Sequence, residues 1–144
     1  MSTPAMPEPF AAVQAAIISR LLAEGITCYD HHPIELCGVP SAYLSVTDAM
    51  PGYLRADQGE LKLGQLDYKL RFYASLEQSV QVAHAIVYDA MRSVCAVFSS
   101  GTLGGVVKEA SIERMSVDPV QSGPNNRPML LLEVDVRVKP TQYV

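Results

Sequence analysis

Met129-Leu-Leu-Leu-Glu-Val-Asp-Val-Arg-Val138 decides the fold class of this chain. Leu130, Leu132, Val134, Val136 and Val138 fall on one side of an extended backbone, and Glu133, Asp135 and Arg137 on the other. A period of two, apolar against charged, marks a strand of an antiparallel sheet with one face on a core. The same alternation runs upstream from Leu61 to Tyr73. There Leu61 and Leu63 share a face that Tyr68, Leu70 and Phe72 continue only if the phase slips by one near Gly64. A bulge at Gly64 does that, or a turn there divides the stretch into two strands. Asp67, Lys69 and Arg71 take the wetter side.

Between these alternating stretches the period changes. From Leu76 to Phe98, Val80, Ala83, Val87, Ala90, Met91, Val94 and Val97 recur at helical spacing, and Val82 and Ile86 widen the stripe. Such a helix is either central to the domain or packed against another subunit. A first helix is expected over about Glu8 to Glu24, with Phe10, Val13, Ile17, Leu21 and Leu22 on its apolar face and Gly25 as its left-handed stop. Short strands are expected at Ile26 to Tyr29 and Ala42 to Val46, and a further one at Val106 to Val117. Long loops are expected over Thr47 to Glu60 and Asp118 to Pro128, and Ser99 to Gly105 reads as a glycine-rich turn with Leu103 at an exposed tip. Met1 to Glu8, broken by Pro4 and Pro7, reads as a flexible arm. The pattern is α+β over one domain, residues 1–144: a mainly antiparallel sheet of four to five strands, covered on one face by two helices.

Composition narrows the functional classes. Apolar residues make up 49% of the 144, enough for one core, while charged residues make up only 18% against about 25% in a typical domain. The shortfall fits a surface partly covered by other subunits. The net charge of −4 and the lack of any basic stripe argue against stable gripping of nucleic acid. They leave room for a wall that DNA slides past. Met1 to Pro9 has neither the charged start nor the apolar centre of a signal peptide, no apolar run reaches membrane-spanning length, and three cysteines fit free thiols in a reducing cytoplasm.

Chemistry is concentrated in Cys28-Tyr-Asp-His-His-Pro-Ile-Glu-Leu-Cys37. Cys28, His31, His32 and Cys37 are zinc-type ligands, yet adjacent histidines would have to converge from one short turn, so a turn beside a buried Cys28 is the simpler reading. Asp30 beside His31 and a nearby cysteine fall short of a catalytic constellation, and no cofactor is expected. His84 shares the spacing of Val80, Val87 and Met91, which places it at the core edge. Gly101-Thr-Leu-Gly-Gly105 runs from helix to strand, the reverse of a phosphate-cradling loop. What remains is surface. Met50, Tyr53, Leu54 and Arg55, followed by Asp57 and Glu60, stand in an expected loop and either meet a neighbouring subunit or fold back on their own domain.

With the helix ending at Glu24-Gly25-Ile26, the strand Leu66 to Tyr73, the helix around Ala83 to Met91 and two final long strands, the chain resembles the tail terminator proteins of long-tailed bacteriophages. The resemblance covers nearly the whole chain and is one of order and fold, without a catalytic signature. It implies a virion subunit in the tail or neck, assembled in the host cytoplasm. Such a subunit forms a homo-oligomeric ring, usually a hexamer, that caps the tail tube and ends its polymerisation. The implied partners are further copies of itself, the tail tube protein and a head-tail connector, with DNA passing through the pore unbound. A head-completion or other neck ring protein is the nearest alternative. A small metal-dependent enzyme using Cys28, His31, His32 and Cys37 is the contrasting class, and a monomeric ligand-binding domain a third.

Overall fold

A computed structural model describes residues 10–31, 39–51, 63–122 and 126–140 of the chain. Two helices and five strands follow one another as α1 (Phe10–Ala23), β1 (Cys28–Tyr29), β2 (Ser41–Pro51), β3 (Leu63–Ser75), α2 (Val80–Phe98), β4 (Val107–Ser122) and β5 (Arg127–Pro140). The strands form one sheet in the order β1-β2-β3-β5-β4. Every pair is antiparallel except β1 with β2. This is the α+β sheet-and-two-helices arrangement that the alternation at residues 129–138 implies.

The first helix stops where its glycine requires. Gly25 has φ +87, and two bonds close the end: Gly25 N donates to Leu22 O at 3.0 Å and Ile26 N to Leu21 O at 2.8 Å. That pairing satisfies the last carbonyls, and the buried Ile26 and Leu21 add their hydrophobic contact. Val13, Ile17 and Leu21 are buried, whereas Leu22 is 62% exposed, contrary to its place in the expected stripe. A helix resting on a narrow contact buries residues four apart, and Leu22 lies about 100° round from Leu21.

In α2 the start is set by Ser79, whose hydroxyl accepts from Val82 N at 3.2 Å. Leu76 stays outside the helix because its amide donates to Pro128 O at 3.1 Å, extending the pairing with the final strand. Ala83, Val87, Ala90, Val94 and Val97 are buried against the sheet, but Val80 and Val82 are exposed. Both lie beside a buried stripe that is only as wide as the helix's contact with the sheet. Beneath the helices, Leu66, Leu70 and Phe72 meet Leu132, Val134, Val136 and Val138 in one core, with Tyr68 fully buried among them.

Three further expectations are corrected. Thr47 to Pro51 belongs to β2 and Asp118 to Ser122 to β4, so both expected loops are shorter. These segments alternate poorly because they lie in edge strands, where half the side chains face solvent on either side. Leu103 is fully buried and no exposed tip: it adopts φ +50 between Gly101 (φ +74) and Gly104 (φ +71), which turns its side chain into the core. The phase slip in β3 is real. Met50 pairs with Gln65 but Pro51 with Leu63, so Gly64 is the extra residue of a bulge, and the turn alternative falls. On the face away from the helices Tyr43, Tyr73, Met129 and Leu131 form a second small cluster, with Tyr43 stacked on Tyr29 at 5.5 Å. The expected arm of residues 1–8 lies outside the described residues.

Candidate assembly surfaces

The zinc-type stretch does not converge among the residues described. Cys28 lies in β1 with its thiol buried, donating to Tyr29 O at 3.6 Å. Burial, with the Asp30 charge as a smaller cause, pushes that thiol up to about 12. His31 is exposed and holds Asp30 Oδ1 at 2.7 Å, pointing away from the core that contains Cys28. His32 and Cys37 lie outside the described residues. Among those described, no group of three His, Cys, Asp or Glu stands close enough to hold a metal ion. No helix among them is long and apolar enough to cross a membrane.

The interface positions expected at Tyr53, Leu54, Arg55, Asp57 and Glu60 also lie outside the described residues. The backbone of Met50 belongs to β2, opposite Gln65. His84 is half-buried at the core edge, beside the Tyr88 ring at 5.8 Å between centroids.

What the fold does bring together is a set of surfaces. On the face away from the helices, Lys69 Nζ reaches Glu133 Oε2 at 3.1 Å and Asp135 Oδ1 at 3.7 Å, and Arg137 Nε reaches Asp67 Oδ1 at 3.3 Å. These cross-strand pairs neutralise the middle of that face. A shallow depression of about 320 Å³ lies over them, flanked by Thr47 and Glu113. It is too open to enclose a small molecule, which good sites bury by 70% or more.

The helix side carries a trough of mixed polar and apolar lining. Ile86, Ala90 and Ser93 line the side of α2 that faces the end of α1, together with Glu24 and Gly25. The opposite side of the same helix, towards β4, holds His84, Tyr88 and Met91, with Tyr88 57% exposed. Below it Ile112, Met115 and Val117 of β4 are only half-buried.

Among the described residues, both sheet edges are open over a limited length. On β4, Val107 N donates to Thr102 O at 3.1 Å and Ala110 N to Gly101 O at 2.7 Å, so the glycine-rich turn covers the start of that edge. Amides alternate in direction along an antiparallel strand, so Ile112 also faces outward. The bulge at Glu113, between the pairs Ile112 with Val136 and Arg114 with Asp135, resets the phase to Met115 and Val117. Next in that phase is Pro119, which has no amide to offer. On β2, β1 covers only Ala42 and Tyr43. Ala42 N faces outward to Thr27 O at 2.9 Å, and the bulge at Thr47 carries the phase from Val46 to Ala49. Ala49 N, with no strand beside it among the described residues, donates to the carboxylate of Asp48 at 2.9 Å. The sequence names these strands but not their place at the edges. Pro119 was the available signal, since proline within a strand marks an edge.

No family model matches the chain, and no curated protein matches it. A chain in the solved virion of a native gene transfer agent (GTA) particle is similar to it at 14% identity, covering 92% of this chain and 99% of that one, with a TM-score of 0.37. A likeness of that degree carries no argument about role.

Proposed function

We propose that this protein is a structural subunit of a phage-type virion, acting as the ring that caps the tail tube, ends its polymerisation and offers the joining surface to the neck. The observation that carries the reading is a sheet that, among the described residues, is left open at both edges, at opposite ends of the strand order. Two different surfaces on opposite sides suit a head-to-tail interface, which closes into a ring when the rotation per subunit divides a full turn. Isolated edges of this kind are a liability that proteins normally cover. The low charge content of 18% has the same explanation in an assembled ring.

The chain's role in this reading is structural and not catalytic. Its partners are its own copies, the tail tube protein and a head-tail connector. A net charge of −4 lets DNA pass through the pore without being held. Multi-angle light scattering over a concentration series, followed by incubation with purified tail tubes, tests the proposal. A closed species of about six copies that decorates tube ends and halts their growth is expected. A ring that ignores tubes but binds the connector makes the protein a neck component. A monomer that leaves tube growth unchanged overturns the reading.

A further inference from the structure

We infer that neighbouring subunits join edge to edge, with the free stretch of β4 in one copy pairing antiparallel with the free stretch of β2 in the next. This rests on the ring reading above and specifies its interface. The two edges match in length, in spacing and in where they are blocked.

Outward-facing residues on β2 are Leu44, Val46 and Ala49, spaced two and then three apart because of the bulge at Thr47. On β4 they are Ile112, Met115 and Val117, spaced three and then two because of the bulge at Glu113. Run antiparallel, the series coincide: Leu44 meets Val117, Val46 meets Met115 and Ala49 meets Ile112. Both bulges then lie opposite each other, so neither strand must shift to keep the ladder. A bulge at any other position would break the register.

The ends agree as well. One step beyond Leu44 and Val117, β1 occupies the lane beside β2 at Tyr43 and Ala42. The neighbour's β4 must therefore splay away from Asp118 onward, and Pro119, which has no amide, gives up no ladder bond there. At the other end Pro51 would face Ala110, whose amide is already held by Gly101. Within the stretch the Ala49 amide must exchange its bond to the Asp48 carboxylate for the Ile112 carbonyl, which also frees Asp48, and beyond the stretch pairing is closed on both strands.

Side chains follow the backbone. The outward residues of both strands point to the helix side, so Val46, which is 38% exposed, would close over the half-buried Met115. On the other face Ser45 meets Ser116. At the bulges Arg114 stands between the Asp48 of the neighbour and its own Glu113. Neither Arg114 nor Asp48 belongs to an ion pair among the described residues.

The test is the full-length chain carrying Ser45→Cys and Ser116→Cys together, oxidised in the assembled state, with each single variant as control. These positions form a non-hydrogen-bonded pair, in which Cα atoms lie about 4.5 Å apart, within reach of a disulfide. A ladder of covalent multimers from the double variant alone is the expected result. Rings of unchanged mass without that ladder would overturn the edge pairing and leave the ring reading standing. A chain that never assembles overturns both. A second pair of variants is independent of sulfur chemistry. Arg114→Asp places three carboxylates at the bulges and should abolish the ring at concentrations where the parent chain is fully assembled. Adding Asp48→Arg should restore it, and a failure to restore counts against the register.

Discussion

Leu103 has the most at stake of any single residue. A non-glycine residue at φ +50 gives up about 1–2 kcal/mol of backbone energy, which burying a leucine side chain, worth about 1.5–3 kcal/mol, offsets. Leu103→Ala keeps the strain and loses the burial, so a loss of about 2–5 kcal/mol is expected in urea denaturation. The glycines beside it fail more gently. A side chain at Gly104 would overlap the guanidinium of Arg20, but that group is the free end of an exposed side chain and can swing away. Gly104→Ala should therefore cost about 1 kcal/mol, the same as Gly25→Ala, where the added carbon meets nothing. The thiols make a second residue-scale prediction. Cys28 is buried and Cys95 exposed, so alkylation at pH 8 should label Cys95 and spare Cys28 in peptide mass analysis. Cys28 ionises more readily unfolded than folded, with its folded value near 12 against an ordinary 9.0. Its contribution is complete below pH 9 and is lost as pH rises from there towards 12. Burial raises Tyr68 and Tyr73 in the same direction, so alkaline unfolding should be steep, and Cys28→Ala should flatten its first part. Cys28 reads correctly from sequence as a small buried strand residue. Leu103 does not, because a left-handed turn is invisible in residue identity.

Elements show where periodicity suffices and where it stops. The buried faces of β3 and β5 and the stripe of α2 are legible because the packing environment repeats along their whole length. Their limits are set by single hydrogen bonds. Ser79 caps α2, and Ser79→Ala should lower stability by about 1 kcal/mol, read as a shift of the denaturation midpoint with an unchanged slope. Ser99→Ala is the useful contrast: its hydroxyl donates to Ala96 O at the exposed far end of the same helix, and a smaller loss is expected. The ends of β2 and β4 escape the sequence for a different reason. An edge strand faces solvent along one side, so Thr47 to Pro51 and Asp118 to Ser122 carry loop-like residues while keeping strand pairing.

For the whole molecule, assembly and stability are linked. If the open edges and the exposed Tyr88 are covered in a ring, subunit association stabilises the folded chain by mass action. The melting temperature should then rise with protein concentration over a hundredfold range, and a flat profile would show that folding and association are uncoupled. The sequence by itself determined the composition of the core, the sheet-and-two-helices class and the stop at Gly25. Each of these depends on local periodicity or on a backbone angle that one residue type permits. It also located the Gly64 phase slip, because a bulge leaves a trace in the alternation. Only the tertiary structure decided the strand order, and with it which strands lie at the edges. Strand order depends on contacts between residues far apart in the chain, such as Ser111 with Arg137 or Ser41 with Tyr73, which no local pattern encodes. The match between the two free edges belongs to that level. Thr47 and Glu113 each look like one more polar residue in a strand until the sheet places their bulges on its two edge strands.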